Sequence, residues 1–258
     1  MNRITALLLS TIVICTGIVL ITKQASADVE GTAQIVTKGE IKGVYATDVD
    51  TDTIQIQTGY GECNGNYFEV TSATDHDMTS LASGEDFHYI YIDDSASSYP
   101  TPTIIDSTTE PSWSDSKQGW YNGDDRCIDV IYSPDSAAET EEFYRYDETK
   151  YLWTHSEYLL SNGSATDWTN LSPSMSTMVP VNAKAVKIYA WNDDTNSLCQ
   201  VKVANVENTK SLLINRSYIY ASVSGWIDLG TTKNIQYGGD TDDNNNYYIA
   251  LYGWDLDR

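Results

Sequence analysis

The chain is poor in positive charge. Its 258 residues carry 15 Lys+Arg against 37 Asp+Glu, a formal net charge of −22. Phosphate binding depends on neutralisation by Lys and Arg, so this balance excludes a nucleic-acid face. It also opposes attraction to anionic membrane surfaces. Histidine (3) and cysteine (4) are scarce, which leaves little material for imidazole or thiolate chemistry. There is no G-x-S-x-G elbow, no H-E-x-x-H, no phosphate-cradling P-loop and no dinucleotide fingerprint. No segment after the N-terminal apolar run is long enough to span a bilayer, and none sustains a 3.6-residue apolar period. Phenylalanine is rare as well, at 3 against 19 Tyr and 7 Trp. The aromatics that are present thus combine an apolar body with a polar tip, which suits half-exposed sheet faces and sugar-binding surfaces.

What the N-terminus offers is an export signal. Arg3 supplies a positive n-region, Ile4 to Ile21 is an apolar run, and Ala25-Ser26-Ala27 gives the small-x-small cleavage pattern. Residues 1–27 therefore read as a secretory leader, with a mature chain starting at Asp28. The run is long for an h-region, so an uncleaved anchor is the rival reading. Cys15 lacks the small residue before it that lipoprotein processing needs. Loss of Arg3 and Lys23 leaves 13 basic residues against 37 acidic ones, or −24. The mature cysteines are Cys63, Cys127 and Cys199, an odd number that allows at most one internal disulfide. None has metal-ligand spacing, and small buried strand residues are the expected role for at least one of them.

Along the mature chain the period is two. Thr53 to Thr58, Phe87 to Ile92, Arg126 to Tyr132, Glu142 to Tyr146, Ala185 to Trp191, Leu198 to Val203, Tyr218 to Val223 and Tyr247 to Tyr252 all read as strands. Asn64-Gly65-Asn66, Asn122-Gly123-Asp124, Asn192-Asp193-Asp194 and Gly238-Gly239-Asp240 read as turns between them. Many short strands with polar turns predict an all-β fold, an antiparallel β-sandwich of one large or two small units. The expected organisation is a leader (1–27), a first half (28–153), a polar linker or long loop (154–178) and a second half (179–258). His88 falls within a strand, where a packed histidine is expected; His76 and His155 are isolated.

Three groups of residues are candidates for a site. Trp113, Trp120, Tyr121, Asn122 and Asp124 fall in a loop-like stretch from Pro111 to Gly123, where rings can stack on a sugar while Asp and Asn meet its hydroxyls. The competing role for these rings is to cap an end of the core. Asp48-x-Asp50-x-Asp52 has the alternating start of a calcium loop, but Thr53 and Gly59 stand where the EF-hand pattern wants Gly and Glu. Asp240-x-Asp242 is a similar partial match. No cofactor is expected, calcium being the single candidate. With 37 acids, some carboxylate pair will always lie at glycosidase distance, so pairs carry almost no specificity.

Several segments resemble a module of bacteriophage tail-fibre and receptor-binding proteins. Ile41-Lys42-Gly43-Val44, Asp52-Thr53-Ile54-Gln55-Ile56 and Gly59-x-Gly61-Glu62-Cys63 are similar to its opening strands, and Phe87-His88-Tyr89-Ile90-Tyr91 to its aromatic central strand. Pro111, Gly119-Trp120-Tyr121 and Arg126-Cys127-Ile128 resemble its P…GY…R-x-I-G stretch, with Asp129 in place of the glycine. Phe143-Tyr144-Arg145-Tyr146, Val179-Pro180-Val181-x-Ala183 and Tyr252-Gly253-Trp254-Asp255-Leu256-Asp257-Arg258 complete the likeness. The resemblance implies a β-sandwich, often trimeric, that binds cell-surface glycans or supports a domain that does. Phage fibres lack a leader, so this chain reads as a cellular protein using such a module outside the membrane.

The expectation is a secreted or cell-surface protein without catalysis, attached through glycan recognition or built into an extracellular structure. Its partner is a glycan or cell-surface receptor, it forms a homo-oligomer such as a trimer, and it has no nucleic-acid partner and no mature membrane span. The alternative is a carbohydrate-active hydrolase using a carboxylate pair.

Overall fold

A computed structural model describes residues 36–78, 81, 86–134, 139–164, 167, 169–171, 178–192, 202–205, 211–213, 222–231, 233–238 and 247–258. The leader, Cys199, Trp168, Asp240 and Asp242 lie outside them. All twenty elements of the described residues are strands, and every pairing between them is antiparallel. The all-β expectation therefore holds. Among the described residues no helix is long and apolar enough to cross a membrane.

Two five-stranded sheets hold most of the strand residues. One has the order β8-β7-β11-β10-β9, from β7 (Asp86–Ser98), β8 (Thr101–Ser107), β9 (Ser112–Ser114), β10 (Gly119–Asn122) and β11 (Asp125–Ser133). The other has the order β12-β13-β20-β15-β18, from β12 (Phe143–Arg145), β13 (Lys150–Gly163), β15 (Ala183–Asn192), β18 (Ser222–Asp228) and β20 (Tyr247–Leu256). Two three-stranded sheets hold the N-terminal strands: β1 (Ile41–Lys42) with β4 (Gly59–Cys63) and β5 (Asn66–Val70), and β2 (Ala46–Asp50) with β3 (Thr53–Ile56) and β6 (Thr74–Asp77). A four-stranded sheet joins β14 (Thr169–Asn170), β19 (Ile235–Gly238), β16 (Lys202–Asn205) and β17 (Ser211–Leu213). One apolar cluster runs through strands of both five-stranded sheets, including Ile90, Ile92, Val130, Tyr151, Ile188, Ile249 and Trp254.

The stretch expected as a linker from residue 154 begins inside a strand. β13 continues to Gly163 and pairs with β20 along its length, with irregularities in register. Residues 154–178 are rich in Ser, Thr, Asn and Gly, but cross-strand pairing decides strand identity more than composition does. The consequence is that β12, from the expected first half, and β13, which crosses its end, share a sheet with β15, β18 and β20 from the second.

Charged side chains, most of them buried, tie the N-terminal strap (residues 36–46) to the body. Arg126, Arg145 and Arg258 each donate to a backbone carbonyl of the strap: Gly39 at 2.9 Å, Ala46 at 2.9 Å and Val44 respectively. Glu62, Glu148 and Asp129 accept from strap amides of Gly39 (2.8 Å), Gly43 (3.0 Å) and Ala46 (2.6 Å). Asp129 also pairs with the Arg145 guanidinium, both side chains almost wholly buried. Asp129, which stands where a glycine was expected, is thus half of an internal ion pair. It sits at a β-bulge, where Cys127 faces Tyr91 and Asp129 faces Ile90, leaving Ile128 as the extra residue. Burial pushes the Arg258 guanidinium below its ordinary value, to about 10.

Gly119 and Arg126 form one structural unit. A Cβ on Gly119 would lie 0.9 Å from Arg126 Nη1, so only glycine leaves room for the guanidinium that donates to Gln118 and Gly39. Cys63 on β4 and Cys127 on β11 are buried free thiols, pushed up by burial to about 11 and about 12. They are protonated at neutral pH and behave as small apolar residues. His88 is buried within β7. His76 on β6 reaches Asp106 on β8 at 2.9 Å and so links two sheets.

Candidate functional site

The stretch from Pro111 to Gly123 is a hairpin rather than a loop. β9 and β10 pair with Trp113 directly opposite Trp120 and Ser112 opposite Tyr121. Gln118, with a φ of 57°, and the tight turn from Ser114 close it. A loop was expected because Ser, Asp, Lys and Gln fill the tip; the pairing across that tip is what makes the flanks strands.

Alternation divides the expected site between two faces. Trp113 and Trp120 share one face, their rings 5.8 Å apart and inclined at 70°. Trp113 is 41% exposed, and its Nε1 donates to Asp115 Oδ1 at 2.8 Å. Trp120 is half-buried against the core, with Nε1 donating to Asp257 Oδ2 at 3.3 Å. Trp113 therefore offers the open ring and Trp120 its support. Asn122 continues this face at the next outward position of β10.

Tyr121 points the other way. It is buried, its hydroxyl accepts from the Asn64 amide at 3.3 Å, and burial pushes it up to about 12. Lys117 Nζ and the Arg126 guanidinium lie 4.7 Å and 5.0 Å from its ring centre. Tyr121 holds the hairpin to the body by cation–π contact rather than joining the surface pair. Asp124 is exposed and bound to Lys117 at 2.5 Å, on the side of Tyr121. The structure thus brings Trp113, Trp120 and Asn122 to one face and sets Tyr121 and Asp124 apart from them.

Of the acidic candidates, the described ones are Asp48, Asp50 and Asp52. Asp50 accepts from the Thr51 amide at 2.7 Å and Asp52 from the Thr53 hydroxyl at 3.1 Å. The Asp48 carboxyl is raised above its ordinary value by burial, with Glu142, Asp50 and Glu141 adding like-charge repulsion. Among the described residues no group of three or more His, Cys, Asp or Glu is placed to hold a metal ion.

A second set of rings was not singled out from the sequence. On the face of the β12–β18 sheet opposite the core, Trp191 lies parallel to Tyr248, 5.1 Å between centres and 10° between planes. Tyr158 stands 5.8 Å from Trp191, Tyr189 stands 5.3 Å from it on the other side, and Tyr252 is 6.1 Å from Tyr189. The signal was present in the alternation of Lys187, Tyr189 and Trp191. It is indistinguishable in sequence from the alternation of a core-facing strand, because Tyr and Trp occupy both faces.

No family model and no curated protein matches the chain.

Proposed function

We propose that this is an exported, non-catalytic binding or structural protein of β-sandwich architecture. It acts at the cell surface or in an extracellular assembly, by contact with uncharged glycans. The observation that carries this reading is the exposed Trp113 ring, backed edge-on by Trp120 on a paired hairpin and fixed by its own hydrogen bond to Asp115. A ring held in advance costs little entropy when a pyranose stacks on it. The net charge supports neutral over sulfated or uronic-acid polymers. Oligomerisation, as a trimer for example, multiplies such a weak contact.

A glycan array probed with the mature protein and with Trp113→Ala tests the reading. Binding to neutral glycans is expected, with loss of about tenfold or more in the variant at unchanged melting temperature. No binding by the wild-type protein to any glycan would favour the purely structural subunit. Turnover of a bound glycan would establish the hydrolase instead.

A further inference from the structure

We infer that the outer face of the β12–β18 sheet is a second glycan-binding surface, built for an extended neutral polysaccharide chain rather than a single terminal sugar. The inference rests on the glycan reading above but on different residues.

Strand register shows what this face presents. One row across the sheet runs Ser222, Trp191, Tyr248; the next runs Ser224, Tyr189, Ala250, Tyr158; a third pairs Trp226 with Lys187. Within these three rows the outward positions hold Trp, Tyr, Ser, Ala and Lys187 and no carboxylate; the row beyond, Asp228, Ala185, Asp255 and Lys150, bears the carboxylates of this face. In a chain with 37 acids, three such rows stand out. The contrast is the β2–β3–β6 sheet, where Asp48, Asp50, Asp75 and Asp77 occupy two strands. Three rows of hydroxyls and rings, with the carboxylates confined to one end, complement an uncharged polyhydroxylated chain.

The rings are fixed before any ligand arrives. Tyr158, Trp191, Tyr189 and Tyr252 follow one another at 5.8, 5.3 and 6.1 Å. Tyr248 stacks on Trp191 and donates its hydroxyl to Asn162. Trp226 sits between Lys187 Nζ and Lys150 Nζ, each 5.9 Å from its ring. The contacts therefore form a strip, not a point. Tyr158, at 58% exposed, is its most open member. A strip of repeated weak contacts gains affinity with polymer length, while a lone ring saturates with one sugar.

Rings paired across strands also stabilise a sheet with no ligand at all, so the test must read binding apart from folding. Affinity electrophoresis in gels containing hydroxyethyl cellulose, galactomannan or dextran gives that readout, with carboxymethyl cellulose as the anionic comparator. At least one neutral polymer is expected to retard the wild-type protein, and carboxymethyl cellulose is not. Tyr158→Ala is expected to weaken retardation severalfold with an unchanged unfolding midpoint, and Tyr158→Phe to keep it. Retardation unaffected by Tyr158→Ala but lost in Trp113→Ala would overturn this inference and leave the hairpin reading standing. The converse result would leave the strip and remove the hairpin. Equal retardation by the anionic polymer would overturn the neutral-chain assignment. Absence of retardation in all three neutral polymers would overturn the strip. If sedimentation then showed self-association lost in Tyr158→Ala, the face would be a contact between copies of this chain.

Discussion

One sheet carries two aromatic clusters, and they have opposite fates. Beneath the sheet Phe143, Tyr151, Trp153 and Trp254 interlock: Tyr151 lies 4.4 Å from Phe143 and 4.5 Å from Trp254, both nearly parallel, and Trp153 meets Trp254 edge-on at 4.9 Å. All four are buried, and the Arg145 guanidinium lies 5.3 Å from the Tyr151 ring. Above the sheet Tyr158, Trp191, Tyr248, Tyr189 and Tyr252 make a similar ring contact network in partial contact with water. Both clusters are built of Tyr and Trp, with Phe143 added to the inner one, whose closest ring contacts are tighter, at 4.4–4.9 Å against 5.1–6.1 Å. What sets their fates apart is the layer that covers them: the first cluster adjoins Phe87 and Tyr132 of the neighbouring sheet.

β20 shows how one strand feeds both clusters. Simple alternation would put Tyr248, Tyr252 and Trp254 on one face. Instead Lys187 faces Gly253 and Ile188 faces Leu251, so Tyr252 is an extra residue. This bulge turns Trp254 into the core, where it is fully buried, while Tyr248 and Tyr252 stay outside. Gly253 permits the close strand approach at this point: a Cβ there would lie 1.9 Å from the Tyr151 carbonyl oxygen.

The sharpest way to break the comparison is to truncate one ring from each cluster. Trp254→Ala is expected to cost about 3–5 kcal/mol, because a large buried ring leaves a cavity in a packed core. Tyr158→Ala is expected to stay within about 1 kcal/mol, since it removes a largely exposed ring. Urea unfolding of both variants measures the difference. Equal losses would show that the outer cluster is as structural as the inner one.

The ion pair under the inner cluster gives the next effect. Asp129→Ala leaves the Arg145 guanidinium buried without its carboxylate, and a loss of about 3–5 kcal/mol is expected. A double variant, Asp129→Ala with Arg145→Met, should recover much of it. If the two single losses simply add, the pair has no coupling and the strap is held by other contacts.

A smaller loss is expected for Gly119→Ala, about 1–3 kcal/mol from overpacking. The new Cβ must displace the Arg126 guanidinium, which loosens the Trp113–Trp120 hairpin from the strap. Replacement of Arg126 by Met in the same chain should relieve the clash. Its absence would mean that Gly119 is set by the hairpin backbone alone.

Much of the strand pattern was legible because alternation and turn chemistry agree. Thr53–Ile56, Asp86–Ser98 and Asp125–Ser133 form where β-branched and aromatic residues alternate, and Asn64-Gly65 closes β4 and β5 with positive φ at both residues. The site was less legible for two physical reasons. Side-chain facing follows register, so a bulge at Ile128 or Tyr252 moves every later residue to the other face, and sequence carries no mark of it. Tyr121 next to Trp120 looked like one surface although neighbours in a strand point apart. The partnership of Gly119 with Arg126 and of Asp129 with Arg145 joins residues on separate strands, and only the fold reveals it.

The least effect belongs to Glu40, half of a surface ion pair whose Lys42 is exposed. Lys42 lies 2.6 Å from its carboxylate, and the Thr37 amide and hydroxyl donate to it at 2.8 and 2.7 Å. The Lys42 hydrogen bond comes first, with the Thr37 contacts behind it, and together they hold the carboxyl at about 2 against an ordinary 4.5. The folded-state value is the depressed one. The stabilisation is therefore complete above about 4.5 and is lost as pH falls towards about 2. Wild-type protein and Glu40→Gln should differ at pH 6 by less than the Trp254, Asp129 and Gly119 variants differ from wild type, because the Lys42 ammonium is solvated. That difference should shrink as pH drops through this window, and it should also shrink at 1 M salt, which screens surface charge. The Asp129 loss should persist in the same salt, since its partner is buried. Urea midpoints of the two proteins at pH 6 and pH 2.5 measure the first effect. A gap that widens on acidification would mean that Glu40 acts through the shape of the Thr37–Glu40 turn and not through its charge.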